Sequence, residues 1–181
     1  MNIDQTQLAS ALSGDRAAAA GLIESLWPDA YRIAWASLRD ADAAEDAAQE
    51  ACARAWRALR SVRSSDRFAV WFYRIVVNEC RRSQRNTRSD LHLVDRLPPV
   101  AGAPSNDDRV DVQRAIGSLP APLRLVVVLR YYYDLSSVEI AHVVNASPVT
   151  VRWRLMLAHR RLRTTLAAPE KDFQDETVAF G

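Results

Sequence analysis

The sequence predicts an all-α protein of two small helical domains joined by a flexible linker. Apolar residues recur at helical spacing along most of the chain, and no series of alternating strands with hairpin turns is seen. Ala, Arg and Leu, which favour helices, are the commonest residues of the chain. Residues 91–109 are rich in Pro, Gly, Ser, Asn and Asp, which is typical of a linker.

The domain boundaries follow from this composition. At 181 residues the chain suits one or two small domains, and the linker composition favours two. We place the N-terminal domain at 1–90, the linker at 91–109 and the C-terminal domain at 110–166. The tail, 167–181, carries four acidic residues against one lysine, and we expect it to be disordered.

Three helices are expected in the N-terminal domain, at about 17–38, 42–59 and 66–85. Asp15 can cap the first helix, and Pro28 interrupts it, which can introduce a kink. Asp42 and Glu45 give the second helix a start that resembles a capping box.

The second helix has an acidic face. Asp46, Gln49 and Glu50 fall at i, i+3 and i+4, so they share one side of the helix. Such a stripe on a rigid helix can dock on a basic helical partner. The alternative is a plain solvent-exposed face, because exposed charges contribute little to stability.

The third helix places an aromatic residue beside an Arg ladder. Bases can stack on Trp71 while the arginines follow the phosphate backbone, which suits single-stranded DNA, although Trp71 could equally be a core residue. The preceding polar loop offers groups that can hold an extruded base. The ladder comprises Trp71, Arg74, Asn78, Arg81 and Arg82, and the loop contributes Arg63, Ser64 and Arg67.

The C-terminal domain contains a helix-turn-helix. Ser136 and Glu139 form a capping box that opens its first helix. Asn145 stands at the turn and tolerates the left-handed conformation, and Ser147 with Pro148 begins the second helix. The domain's helices are predicted at about 110–117, 121–133, 137–144 and 148–165, and the apolar side of the third comprises Val138, Ala141, Val143 and Val144.

The second helix of this motif is rich in Arg, so it fits the major groove of DNA. Its inward face comprises Val151, Leu155, Ala158 and Leu162, and its outward face comprises Val149, Trp153, Met156 and Arg160. Arg152 and Arg154 flank the outward face within reach of phosphates. The alternative is a two-helix packing unit with a solvated Arg face.

Charge is distributed unevenly, although the formal net charge is only +2. Residues 1–50 carry a net charge of −6, residues 51–90 carry +7 and residues 130–166 carry +4. Two basic segments behind an acidic one indicate two nucleic-acid contacts and a separate protein contact. Ordinary charged helix surface is the alternative.

The sequence lacks the motifs that are typical of metal-binding proteins, enzymes and secreted or membrane proteins. Cys52 and Cys80 do not form a C-x-x-C pair, and no His or Cys spacing suits a metal, so we predict no metal, no cofactor and no catalytic residue. The chain has only 5 Gly, and it contains neither a phosphate-binding Gly loop nor a nucleophile elbow. It shows no signal peptide and no apolar run of ~20 residues, so we expect a cytoplasmic protein.

Two stretches together resemble one protein family. Residues 44–59 and 68–85, AEDAAQEACARAWRAL and FAVWFYRIVVNECRRSQR, are similar to the second conserved region of the extracytoplasmic-function sigma factors of bacterial RNA polymerase. Residues 119–163, from LPAPLR to AHRRLR, are similar to their fourth region. The matches stand in the family's order, with a linker of suitable length and no third domain between them.

The resemblance implies a transcription initiation factor that binds core RNA polymerase and promoter DNA. It implies that the acidic stripe docks on the clamp helices of the largest catalytic subunit. It implies that the ladder and its loop, Arg63, Ser64, Arg67, Trp71, Arg74, Asn78, Arg81 and Arg82, bind the melted minus-ten element. The minus-thirty-five element is then read as duplex by Ser147, Val149, Thr150, Arg152, Trp153, Arg154, Met156 and Arg160. An anti-sigma factor is a further expected partner, because family members are often held inactive by one.

The recognition helix departs from the family pattern. Val149 stands where a small residue is common, Trp153 where Ser is common, and Leu157 where Arg is common. Its face is therefore more apolar, which suits thymine methyl groups, and the promoter sequence does not follow by analogy. The alternative function is a helix-turn-helix regulator that binds duplex DNA without polymerase, and the Trp71 face argues against it.

Overall fold

The structure, a computed structural model, describes residues 4–62, 64–87 and 107–167. Within these ranges it is built from helices alone, which confirms the all-α prediction. The helices are α1 (Gln5–Ser13), α2 (Arg16–Leu38), α3 (Ala41–Ala58), α4 (Phe68–Thr87), α5 (Asp107–Ser118), α6 (Ala121–Tyr131), α7 (Ser137–Val144) and α8 (Pro148–Ala167), with short 3-10 turns at Leu59–Ser61 and Ser65–Arg67.

The predictions for the linker and the tail fall almost entirely outside the described residues. The described part resumes at Asp107, where α5 begins three residues before the predicted start of the C-terminal domain. We therefore keep the boundaries of the two domains as proposals.

Helix starts follow the capping residues of the sequence, with one correction. Asp15 caps α2 as predicted and accepts hydrogen bonds from the amides of Ala17 and Ala18 at 2.8 and 3.2 Å. The cap of α3 is Asp40, which accepts from the Ala43 amide at 2.8 Å, so the predicted start at Asp42 was wrong. The backbone of Asp40 is extended, as a capping residue requires, whereas Asp42 already lies inside the helix.

Two features of the N-terminal helices go beyond the prediction. Helix α1 is an additional element, which Asp4 caps and which Gly14 ends with a φ of 106°. Such a left-handed residue suits glycine, which has no Cβ to clash. Helix α2 is one continuous helix that contains Pro28, and Arg39, which follows its last residue Leu38, also has a positive φ of 59°.

The small residues of α3 let its neighbours approach closely. One face of α3 is buried between α2 and α4 and consists of Ala44, Ala47, Ala48, Ala51, Cys52 and Ala55. The side of α4 that faces this core carries Phe68, Phe72 and Val76, all fully buried. The exposed side of α4 is thereby fixed, because a helix packed along one face has only one face left for solvent.

Helices α5 to α8 form the C-terminal half. The apolar run from Leu125 to Leu129 in α6 is buried, as its sequence indicates. In α7 the buried side is formed by Ile140, Ala141, Val143 and Val144. The prediction that Val138 belongs to this side was wrong, since Val138 is 52% exposed and Ile140 takes the inward position.

The two halves pack directly against one another. Helix α6 lies on α2, and α7 lies on α4. Buried residues of both halves, from Leu22 in α2 to Val151 in α8, belong to one continuous apolar core.

The capping box of α7 gives a stability prediction. Ser136 accepts from the Glu139 amide at 3.2 Å, and the Ser136 amide donates to the Glu139 carboxylate at 2.8 Å. We expect Ser136→Ala to lower the free energy of unfolding by ~1 kcal/mol, measured as the urea midpoint by circular dichroism. Hydrogen bonds from Ser136 hold the pKa of Glu139 below its usual value, so the benefit is present at neutral pH and is lost as pH falls through that lowered pKa.

The matched control is Ser137→Ala, one position further along α7. That change leaves the capping box intact, and we expect it to shift the free energy of unfolding by less than about 0.5 kcal/mol. Equal losses from the two variants would contradict the role of Ser136.

Candidate nucleic-acid interface

The structure places the predicted acidic stripe on the exposed side of α3. Asp46, Gln49 and Glu50 all face solvent, opposite the buried alanines. Glu50 accepts from Arg54 at 2.9 Å and from Arg57 at 3.1 Å. The hydrogen bond from Arg54 holds the pKa of Glu50 below its usual value, so this carboxylate is charged at neutral pH.

A buried acid ties this stripe to the next helix. The Nε atom of Arg54 lies 3.1 Å from the Glu79 carboxylate on α4, as well as close to Glu50. Glu79 is only 6% exposed. The sequence prediction did not single out Glu79, although it is the only acid in α4 and falls on the helix's apolar side, and that isolation was the available signal.

The Arg ladder of α4 is mostly exposed. Arg74, Asn78 and Arg82 face solvent. Trp71 is half-buried, with its ring centroid 5.4 Å from that of Phe68, so part of its surface belongs to the core and part remains available. Arg81 differs from its neighbours because its guanidinium is partly buried and donates to the carbonyl of Val144 in α7.

The loop before α4 is short and polar. Ser64 precedes the 3-10 turn Ser65–Arg67, and both Ser64 and Arg67 are exposed. Arg63 lies outside the described residues. The loop therefore presents its polar groups beside the first turn of α4, where Trp71 lies.

The outward face of α8 carries large apolar side chains. Val149, Trp153 and Met156 are 65%, 54% and 62% exposed. Their neighbours Arg152 and Arg160 are exposed and Arg154 is half-exposed. On the inward side Val151 and Ala158 are fully buried and Leu155 and Leu162 are partly buried, so the predicted division of α8 into two faces agrees with the observed burial.

Ser147 and Thr150 are hydrogen-bonded to each other at the start of α8. The Ser147 hydroxyl accepts from the Thr150 amide at 3.0 Å and hydrogen-bonds to the Thr150 hydroxyl at 2.8 Å. Both hydroxyls are thus engaged at the helix start, which leaves the apolar and Arg side chains as the exposed groups with the greatest reach.

Both cysteines are free and buried in this fold. Burial raises the pKa of Cys52 to about 11 and that of Cys80 to about 12. In the part of the chain that the structure describes, no three His, Cys, Asp or Glu side chains converge on a potential metal site. No helix in that same part has the length and hydropathy needed to cross a bilayer.

Comparison with known proteins assigns both halves of the chain to one family. Residues 22–89 match the model of Sigma-70 region 2, and residues 109–162 match that of Sigma-70 region 4. The ECF RNA polymerase sigma factor SigM of Mycobacterium tuberculosis is 30% identical over 90% of this chain and 84% of its own. The ECF RNA polymerase sigma-E factor of Escherichia coli is 32% identical over 65% of this chain and 70% of its own.

A solved structure shares the fold. The sigma factor RpoE of Bartonella quintana, solved in complex with the anti-sigma factor NepR, matches 81% of this chain and 95% of its own with a TM-score of 0.64 at 22% identity. Together with the sequence matches, this fold defines a transcription initiation factor of the sigma-70 class. The chain belongs to the ECF sigma factors. These relatives do not favour the alternative of a regulator that acts without polymerase.

The buried Glu79 gives a second prediction. Glu79→Ala leaves Arg54 without its partner on α4, and we expect the free energy of unfolding to fall by about 1–3 kcal/mol, measured by urea denaturation. Glu24→Ala, on the exposed side of α2, is the control and is expected to change it by less than about 0.5 kcal/mol. A Glu79 variant as stable as the control would show that the pair does not hold α3 to α4.

Proposed function

We propose that this sigma factor engages core RNA polymerase through the acidic stripe of α3 and promoter DNA through α4 and α8. The observation that carries this assignment is the exposure of the three predicted surfaces in a chain that matches both sigma regions. Sigma factors as a class are initiation factors, and we extend this to propose that the chain has no catalytic activity of its own. Its proposed place of action is the cytoplasm.

The polymerase contact is assigned to Asp46, Gln49 and Glu50. Two carboxylates and an amide on a rigid helix can accept hydrogen bonds from a basic helical surface such as the clamp helices of the largest subunit. Glu50 is pre-positioned by Arg54 and Arg57, so less side-chain entropy is lost when the partner binds.

The minus-ten contact is assigned to α4 and the loop before it. The exposed arginines can follow the phosphates of a single strand while the accessible part of Trp71 stacks on a base. Arg63, Ser64 and Arg67 would surround a base extruded from the duplex. Capture of unstacked bases offsets the cost of opening the duplex, which is a few kcal/mol per base.

The minus-thirty-five contact is assigned to the outward face of α8. Trp153 and Met156 supply apolar surface for thymine methyl groups, and Arg152 can form a bidentate pair with guanine or bind phosphate. Held on one polymerase, the minus-ten and minus-thirty-five contacts gain effective concentration, so each can be weak alone. An anti-sigma factor, like the one bound to the Bartonella relative, is a further proposed partner.

Charge reversal tests the polymerase contact. We expect Asp46→Lys combined with Glu50→Lys to weaken binding to core polymerase at least about 30-fold, because breaking close charge pairs costs about 2 kcal/mol or more. The measurement is competition against labelled sigma factor for core enzyme. Glu24→Lys on α2 is the control for a charge reversal away from the stripe, and it should bind as the wild type does.

The outcome that contradicts the assignment is clear. If the double reversal retains its helical content and still binds core polymerase normally, the acidic stripe is not the docking surface. Loss of helical content would be detected by circular dichroism, and a single Asp46→Asn variant then provides the same comparison without charge reversal.

Arg152→Ala separates base reading from phosphate binding on α8. If Arg152 reads a base, promoter binding weakens by ~1–3 kcal/mol and specificity relaxes at one position of the minus-thirty-five element. If it binds phosphate, affinity falls equally for all sequences and the salt dependence of binding becomes shallower. Unchanged affinity and salt dependence would remove Arg152 from the interface.

A further inference from the structure

The outward face of α8 brings three large apolar side chains together. Val149, Trp153 and Met156 are 65%, 54% and 62% exposed. At 3.6 residues per turn they lie within about 60° of one another around the helix axis, and at 1.5 Å per residue they span about 10 Å along it. That length corresponds to about three base-pair steps at 3.4 Å each. The three side chains thus form one strip, the apolar strip of α8, which is long enough to meet several base pairs.

The surroundings of the apolar strip favour duplex DNA as its occupant. Helix α8 carries five arginines and no acidic residue. Arg152 and Arg160, which border the strip, are both exposed. A surface whose charges are all positive complements phosphates. Helix α8 is also the second helix of the helix-turn-helix, and in such motifs the first turns of this helix contact base edges in the major groove.

Helix α8 offers the bases no carboxylate or amide. It contains no Asp, Glu, Asn or Gln, the side chains that accept hydrogen bonds from the amino groups of adenine and cytosine. The hydroxyls of Thr150, Thr164 and Thr165 are hydrogen-bonded within the helix or at its start. His159 is hydrogen-bonded to Tyr131 at 2.7 Å. The exposed groups that remain for base edges are therefore the N–H donors of the arginines and the indole, together with the apolar strip.

With these groups, α8 can distinguish base pairs mainly by their methyl groups. Every base pair presents one amino donor and two acceptors in the major groove, so the donors of α8 find an acceptor on each of them. Arg152 is the exception where it forms a bidentate pair with guanine. The C5-methyl group of thymine is the one apolar group on these edges, and only the apolar strip can bury it.

We propose that the apolar strip of α8 recognises the C5-methyl group of pyrimidines as such, so that 5-methylcytosine can replace thymine in the minus-thirty-five element. This inference rests on the proposed function and deepens it, because it names the chemical group that the helix reads. 5-Methylcytosine carries its methyl group on the same ring carbon as thymine. Its pair with guanine also presents one amino donor and two acceptors, as the thymine–adenine pair does. A promoter with cytosine opposite the strip therefore becomes a tighter site when that cytosine is methylated.

Base analogues isolate the methyl group in the holoenzyme, the complex of this chain with core polymerase. A promoter is first selected with the holoenzyme from duplexes of random sequence. Each thymine of its minus-thirty-five element is then replaced by uracil, which lacks only the methyl group. In a second series each of these positions carries cytosine or 5-methylcytosine opposite guanine. Equilibrium competition measures the affinity of the holoenzyme for every duplex.

The expected effect is the burial of one methyl group at each contacted position. We expect uracil to weaken binding about fourfold at each thymine that the strip contacts (about 0.8 kcal/mol, at 1.4 kcal/mol per tenfold). At the same positions 5-methylcytosine should bind about fourfold more tightly than cytosine, for the same reason. Equal affinities for thymine and uracil throughout the element would overturn the proposal. A uracil effect that the cytosine series does not reproduce would overturn it as well.

Three single variants connect each methyl effect to one side chain. Val149→Ala, Trp153→Ala and Met156→Ala each remove apolar surface at an exposed position, so the buried core of the domain is unchanged. Each variant should abolish the difference between thymine and uracil at one position, and these positions should follow the order of the residues along α8. The matched control is Leu166→Ala, which removes a side chain that is 49% exposed at the far end of the same helix. It should leave every difference unchanged.

The variants also separate direct contact with the methyl group from its effect on DNA shape. A difference between thymine and uracil that all three variants preserve arises from the shape or stiffness of the duplex, and it overturns the proposal. Variants that weaken binding equally on thymine and uracil duplexes would show that the apolar strip contacts something other than the methyl group, such as a protein surface. That outcome overturns the proposal too, because the coupling between side chain and methyl group is then zero.

Failure of the proposed function gives a different result. If the chain does not bind core polymerase, the proposed function fails, and the comparison is made with the chain alone on random duplexes synthesised with thymine or with uracil. A preference for the thymine duplexes that Trp153→Ala removes and Leu166→Ala retains supports methyl recognition even then. Equal binding of the two sets of duplexes overturns it.

Discussion

The burial of one face of α4 is the constraint on which the other features depend. Phe68, Phe72 and Val76 are fully buried on the packed side of α4, and this leaves the other side of the helix for Arg74, Asn78 and Arg82. The same helix anchors Arg54 through Glu79, and Arg54 in turn orients Glu50 in the acidic stripe. The proposed polymerase contact and the proposed minus-ten contact are therefore set by one packing arrangement, and a shift of α4 would move both.

Much of this arrangement is encoded locally. Helical periodicity predicts α2 to α8 within a few residues, because each has an apolar face and most begin at a capping side chain such as Asp15 or Ser136. The exposed faces of α3 and α8 follow from the same periodicity, and so the candidate residues Asp46, Trp153 and Met156 were found from spacing alone. The error at Asp42 arose because Asp40 offers an equivalent carboxylate two residues earlier.

The contacts that the sequence does not predict are those between residues far apart along the chain. Arg124 and Ala36 are 88 residues apart, and Tyr133 and Asp29 are 104 apart, so no local pattern signals their contacts. In the sequence Arg124 borders the apolar run from Leu125 to Leu129, as a polar residue at the end of a buried segment would. In the fold, however, Arg124 is itself buried and donates to backbone carbonyls. Glu79 stands out in the sequence only as the single acid of α4, and its ion pair with Arg54 appears only when the helices are assembled. A buried charge is identified by its partners, which only the tertiary structure supplies.

The alanine face of α3 and the opposite, exposed face differ in how many substitutions they tolerate. Ala44, Ala48, Ala51 and Ala55 are fully buried between two neighbouring helices, so a longer side chain at any of them would force the helices apart. The opposite side meets only solvent in the free chain, where most substitutions cost little. Selection for stability therefore keeps the buried face of α3 small, whereas the residues of its exposed face can change to suit the surface that they contact. A homologue could thus bind a different partner through this helix without any change in its buried face.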